Sequence, residues 1–105
     1  MTGKALFVVR AVVGDEALRA KLDHWYATDH LPAALSAFRA QKAWRAWSAT
    51  DPSVHYAYYQ FADLAHLNER LNSADFRTLV DDFDRAFPTG VTRSREILNV
   101  AEELG

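Results

Sequence analysis

The chain has 105 residues, half of them hydrophobic and 25% charged, with a formal net charge of -2. This length and balance predict one globular domain over residues 1–105, and the absence of a basic excess argues against a nucleic-acid partner. No cysteine is present, which excludes disulfides, thiolate metal sites and cysteine nucleophiles.

The first residues predict a central strand and no targeting segment. Residues 5–13 are rich in valine and apolar on both faces except at Arg10, a pattern typical of a strand covered on both sides. This run has no cleavage pattern after it, and no stretch reaches the roughly 18 apolar residues of a membrane span. We therefore expect a cytoplasmic protein without a membrane partner.

A long, interrupted helix follows this strand. Asp15 can cap its start, and apolar residues then recur at helical spacing through Trp25 and Tyr26. A second helix is predicted to start at Thr28 or Asp29, because Pro32 then falls in its first turn. The long helix is therefore expected to have a break or kink between residues 27 and 32.

The rest of the chain predicts a hairpin, two helices and a last strand. In chain order these are strands 42–49 and 54–61, a short helix capped by Asp63, a longer helix opened by Ser73 and Asp75, and a strand over 91–100.

This order of elements predicts an α+β domain with the ferredoxin-like β-α-β-β-α-β fold. Right-handed crossovers place the helices on one face of a four-stranded antiparallel sheet in the spatial order four-one-three-two. Alternation puts either Trp44 or Trp47, and half of the aromatic residues of strand 54–61, on the other face. A second copy that covered this face would give a dimeric α+β barrel, so we expect a homodimer.

One segment of the first helix resembles a known family. His24-Trp25-Tyr26-Ala27-Thr28-Asp29-His30-Leu31-Pro32 is similar to the W-Y-x-x-x-H-L-P signature of small dimeric α+β barrel proteins related to the EthD family. Residues 73–77 and 83–88 resemble the second helical segment of the same group. Relatives usually have Pro-Gly-Phe where this chain has Ser36-Ala37-Phe38, so we expect a different path into the second strand. The resemblance implies a pocket and a loose set of chemistries, those of cofactor-independent monooxygenases, lactone isomerases and polyketide cyclases.

His30 is the candidate catalytic residue. A histidine near neutral pKa can accept or donate a proton, and Tyr26 lies four residues earlier on the same helix face. Trp25 and Tyr26 are candidate ligand-binding residues, together with Tyr58 as an aromatic strand residue. The alternatives are that His30 caps local backbone at the break and that the aromatic side chains are core.

Three arginines on predicted strands complete the candidates. Arg10 interrupts an apolar strand and needs a partner or a ligand, because an unpaired buried guanidinium is very costly. Arg93 and Arg95 lie two apart and share a face. They either point to the ligand face or dimer seam, or form an ion-pair ladder with Glu96 or with an acidic residue of a partner subunit.

The residues thus favour an enzyme that uses neither cofactor nor metal and acts on a small apolar or aromatic molecule. The four histidines include no helical pair with ligand spacing, so no metal site is predicted. The alternative is a non-catalytic small-molecule-binding or stress-type dimer. Haem handling is less favoured, because no histidine stands out as an axial ligand.

Overall fold

A computed structural model describes residues 3–105 and confirms the predicted order of elements. The strands are β1 (Ala5–Val13), β2 (Lys42–Trp47), β3 (Val54–Phe61) and β4 (Val91–Asn99), and the helices are α1 (Glu16–Trp25), α2 (Leu31–Phe38), α3 (Leu64–Leu71) and α4 (Ala74–Ala86). The antiparallel sheet has the predicted order β2-β3-β1-β4. No helix within residues 3–105 is long and apolar enough to cross a membrane.

The helices cover one face of the sheet, and the other face is open. Phe7 of β1 packs edge-on against Phe38 and Phe76 of the helices, which identifies the covered face. Strand alternation and register then show on which face of the sheet each aromatic residue of the β2–β3 hairpin lies, which the sequence did not determine. Trp47, Tyr59 and Phe61 lie on the covered face, and Trp44, Tyr56 and Tyr58 lie on the open face.

The predicted helix caps are present. The Asp15 carboxylate accepts a hydrogen bond from the backbone N–H of residue 17 (2.9 Å), and Asp63 accepts one from that of residue 66 (2.7 Å). The Ser73 hydroxyl accepts one from the N–H of residue 76 (3.2 Å). Each satisfies a backbone donor that the first helical turn leaves without a partner.

The predicted interruption of the first helix is a π-helical turn, Tyr26–His30, between α1 and α2. The N–H of Leu31 donates to the carbonyl of Tyr26, five residues earlier. The predicted second start at Thr28 or Asp29 is wrong, because the Thr28 hydroxyl donates to the carbonyl of residue 24 (2.9 Å), and α2 begins at Leu31 after an N-cap residue, His30, whose side chain makes no capping bond. Pro32 has no N–H to donate, and the wider turn carries the chain past this point without leaving the helix.

Helix α2 ends in a left-handed residue that is not glycine. Arg39 has φ 53° and ψ 39°, and the N–H of Ala40 donates to the carbonyl of Leu35 (3.3 Å). Glycine is the usual residue at such a helix end, because it has no Cβ to crowd the following carbonyl. The chain then enters β2 after Gln41, whose N–H donates to the carbonyl of Gln60 (2.8 Å).

Candidate functional site

A small cavity lies between the covered face of the sheet, the π-helical turn and α4. Its volume is about 30 Å³, enough for a water molecule or two. Most of its wall is apolar. The polar side chains that line it are those of Tyr26, His30, Tyr59, Arg93 and Arg95.

His30 reaches this wall from the end of the π-helical turn and is held by aromatic rings. It is 8% exposed and stacks on Trp25, with 4.3 Å between ring centroids and an interplanar angle of 14°. Tyr26 and Phe83 meet it edge-on at 5.1 and 5.6 Å. The imidazole makes no capping bond to the backbone, contrary to the structural role considered from the sequence.

Burial makes His30 a neutral base. It lowers the pKa of His30 from 6.5 to about 4, an effect that the carboxylates of Asp29 and Asp82 oppose and the guanidinium of Arg93 reinforces. The imidazole is therefore uncharged at neutral pH and has a nitrogen able to accept a proton. Its position was predictable from the motif, whereas its low pKa depends on residues distant in sequence.

Two buried phenols line the same cavity. Burial raises the pKa of Tyr26 and of Tyr59 well above the usual value near 10, so both hydroxyls stay protonated. A protonated phenol can donate a hydrogen bond to an oxygen that becomes negatively charged during a reaction. The residues that line the cavity thus include a side chain that can accept a proton and two that can donate a hydrogen bond.

Arg93 and Arg95 turn to the covered face and not toward Glu96. The guanidinium of Arg93 lies 3.9 Å from the ring centroid of Phe83 and pairs with the Asp84 carboxylate. Arg95 lies over the Phe76 ring, 5.2 Å from its centroid. Alternation places Glu96 on the other face, opposite Val8, so a ladder of these arginines with Glu96 does not form.

A second buried histidine, His55, lies behind Tyr26 and was not singled out from the sequence. Its ring centroid is 4.6 Å from that of Tyr26, and its Nε2 lies 3.3 Å from a guanidinium nitrogen of Arg45. Arg45 and Trp47 both donate to Asp23, at 2.7 and 2.8 Å.

The charge state of this cluster follows from its hydrogen bonds and from its burial. The bond from Trp47, then that from Arg45, lowers the pKa of Asp23 below its usual value, so the carboxylate is ionised. Burial, and after it the Arg45 guanidinium, lowers the pKa of His55 from 6.5 to about 4. Because a guanidinium can only donate, Nε2 of His55 is the acceptor and the ring proton lies on Nδ1.

The structure brings together only some of the predicted site residues. Tyr26 and His30 share the cavity wall, and Trp25 lies behind His30 as its stacking partner. Arg10 and Tyr58 lie on the open face, where Tyr58 stacks on Trp44 at 5.3 Å. Among residues 3–105, no three histidine or acidic side chains are grouped so that they could hold a metal ion.

Neither a protein-family model nor a curated protein sequence matches this chain. In fold, it is similar to a variant of SnoaB, a cofactor-independent oxygenase from Streptomyces nogalater, at 13% identity and a TM-score of 0.70 over 97% of each chain. An EthD family protein from Bacillus halodurans is 12% identical, with a TM-score of 0.66 over 95% of this chain and 99% of its own. HapK from Hahella chejuensis is 10% identical, with a TM-score of 0.69 over 95% of this chain and 97% of its own.

These likenesses define the class of fold. The chain has the ferredoxin-like α+β fold shared by EthD-family and antibiotic biosynthesis monooxygenase-like proteins, as the W-Y-x-x-x-H-L-P resemblance implied. At such low identity the likeness establishes the fold and leaves the chemistry to be argued from the site itself.

Proposed function

We propose that the protein is a cofactor-independent enzyme that removes a proton from a small, mostly apolar aromatic or polyketide-like molecule, with His30 as the general base. The observation that carries this proposal is a buried, neutral imidazole at the wall of a cavity that two phenols also line. General bases act through such a nitrogen when the acidic hydrogen of the substrate comes within hydrogen-bonding distance.

The low pKa of His30 restricts the substrate. An imidazole whose pKa is about 4 is a weak base, so it removes a proton efficiently only from an acidified C–H or O–H. A carbon conjugated with a carbonyl, either directly or through an aromatic ring, fits this requirement, because its carbanion is an enolate. Tyr26 and Tyr59 can donate hydrogen bonds to the enolate oxygen.

The fate of the enolate would define the reaction type. Attack on dioxygen would make the protein a monooxygenase, reprotonation at another carbon an isomerase, and attack on a second carbonyl a cyclase. The oxygenase among the structural neighbours supports the first of these by analogy of fold alone.

A substrate needs more room than the inner cavity offers, and a groove supplies it. This groove, of about 370 Å³, runs between α4 and β4 and shares Phe7, Phe76 and Arg95 with the inner cavity. Ligand pockets commonly have volumes of about 300–1,000 Å³. The substrate would enter between α4 and β4 and displace Phe76 to reach His30.

The same proposal includes that the protein is cytoplasmic, since a chain without cysteine is compatible with a reducing compartment. It also includes that the protein is a homodimer. Trp44 and Leu98 of the open face are 39% and 37% exposed, and Tyr58 stacks against Trp44. One layer of helices covers only the other face, and a second copy of the sheet would bury this one. Arg10 lies on this open face and would become an interface residue.

Anthrone is a suitable probe of the deprotonation, because its methylene lies between two aromatic rings and opposite a ketone. The exchange of these protons for deuterium is followed by NMR without oxygen. We expect the wild type to accelerate the exchange and His30→Gln to reduce the acceleration by about a hundred- to ten-thousand-fold. His24→Gln, which changes an exposed histidine of α1, is the matched control.

Equal exchange in folded His30→Gln and wild type would contradict the role of His30. No acceleration by the wild type would favour the second candidate, a non-catalytic binding or stress-type dimer. The non-catalytic candidate is supported by the small volume of the inner cavity, in which aromatic packing leaves only about 30 Å³ open.

A further inference from the structure

Arg95 stands where the inner cavity meets the groove between α4 and β4, and it lines both. We infer that the substrate carries a carboxylate, which Arg95 binds while the aromatic part of the substrate lies in the groove. This inference rests on the proposed function for its substrate class. Its test is a binding measurement, which needs no turnover.

The two arginines of β4 differ in their partners. Arg93 pairs with the Asp84 carboxylate and covers the Phe83 ring, so its charge is already compensated. Arg95 is exposed and has no ion pair within residues 3–105. Its guanidinium lies over the ring of Phe76, 5.2 Å from the ring centroid. A planar guanidinium held in this way can donate two parallel hydrogen bonds to a carboxylate.

The walls of the groove suit a flat apolar body. Phe7, Leu71, Phe76 and Ile97 line it beside Arg95 and Glu96. Glu96 belongs by alternation to the open face of the sheet and makes no ion pair with Arg95. The groove thus has the Arg95 cation at the junction, aromatic side chains on its walls and one carboxylate, Glu96, in its lining, and an aromatic carboxylate complements it when the ligand charge lies at Arg95.

The position of the cation also orients the ligand. A carboxylate on Arg95 keeps the negative charge at the mouth of the inner cavity. From this junction an apolar part of the molecule can extend along the cavity wall toward His30, while the flat aromatic body lies in the groove. A neutral His30 does not compete with Arg95 for the carboxylate, because burial lowers its pKa to about 4.

Two probes of the same shape separate charge from apolar contact. Titration calorimetry compares 2-naphthoate with 2-naphthalenemethanol on the wild type, on Arg95→Gln and on Arg77→Gln. Arg77 is an exposed arginine of α4 that lines neither the cavity nor the groove, so its variant is the matched control.

We expect the wild type and Arg77→Gln to bind 2-naphthoate about ten- to a hundredfold more tightly than the alcohol, since hydrogen bonds to charged groups are the stronger ones. Arg95→Gln should lose this preference and bind the alcohol as the wild type does.

A wild type that bound neither probe, or bound both equally, would overturn the inference, and so would a preference that survived in Arg95→Gln. These results are separable from a failure of the proposed function. A protein that prefers 2-naphthoate but does not exchange the anthrone protons retains the carboxylate site and loses the enzymatic role.

Discussion

The two buried histidines should make the folded protein sensitive to mild acid. Burial lowers the pKa of both His30 and His55 from 6.5 to about 4, so between these values the unfolded chain binds more protons than the folded one. The stability contributed by the neutral imidazoles is present above pH 6.5 and is lost as the pH falls toward 4. Each histidine should cost about 2 kcal/mol by pH 5 and about 3 kcal/mol below pH 4.

Urea unfolding at pH 7, 6 and 5, at fixed ionic strength and protein concentration, measures this loss. The free energy of unfolding of the wild type should fall by up to about 4 kcal/mol between pH 7 and 5, a large part of the usual 5–15 kcal/mol. Unfolding near pH 5 should take up nearly two protons. His30→Gln and His55→Gln should each take up about one, and the exposed-site control His24→Gln should behave as the wild type.

This comparison is insensitive to any packing defect that a substitution introduces, because such a defect lowers stability equally at every pH. The carboxylate of Asp23, whose pKa is lowered from 3.8, contributes only at more acidic values. A wild type whose stability did not change between pH 7 and 5 would refute the reasoning, and so would a proton uptake that neither variant reduced.

Three further changes have defined outcomes. Tyr58→Asp places a charge on the open face and should convert a dimer into a monomer in light scattering; a wild type already monomeric at micromolar concentration would contradict the homodimer. Arg39→Gly should raise the free energy of unfolding by about 0.5–1 kcal/mol, because Arg39 has φ 53°; an unchanged or lower value would argue against strain there. Gly90→Ala should lower the free energy of unfolding by more than about 1 kcal/mol, since Gly90 has φ 84° and a Cβ there would lie 2.5 Å from Cδ1 of Leu18. The control Gly14→Ala should change this free energy little, because, beyond its two chain neighbours, no atom of the described residues lies within 4 Å of the added Cβ.

The elements and their order were predictable because each is encoded by a local pattern. Valine-rich runs, caps such as Asp15 and Asp63, and apolar residues at helical spacing gave the strands and helices of the observed fold. The second helical start at Thr28 or Asp29 was predicted wrongly. A residue able to cap a helix, followed by a proline three or four residues later, is compatible both with a new helix start and with a π-helical turn.

The composition of the site was only partly predictable for the same reason. Tyr26 and His30 are four apart on one helical face, so a local pattern brings them together. His55 comes to lie behind Tyr26 only through the register that sets it opposite Trp47 and Ala11. That register depends on contacts between distant parts of the chain.

Strand alternation explains why Tyr58 and Tyr59 could not be assigned from the sequence. Period-two alternation states that neighbours in a strand face opposite ways, but it does not state which of them meets the helices. The assignment comes from Phe7, which lies opposite Tyr59 in the register and contacts α2 and α4. The two tyrosines therefore differ in their surroundings: Tyr59 lines the cavity beside His30, and Tyr58 belongs to the face that a second copy would cover.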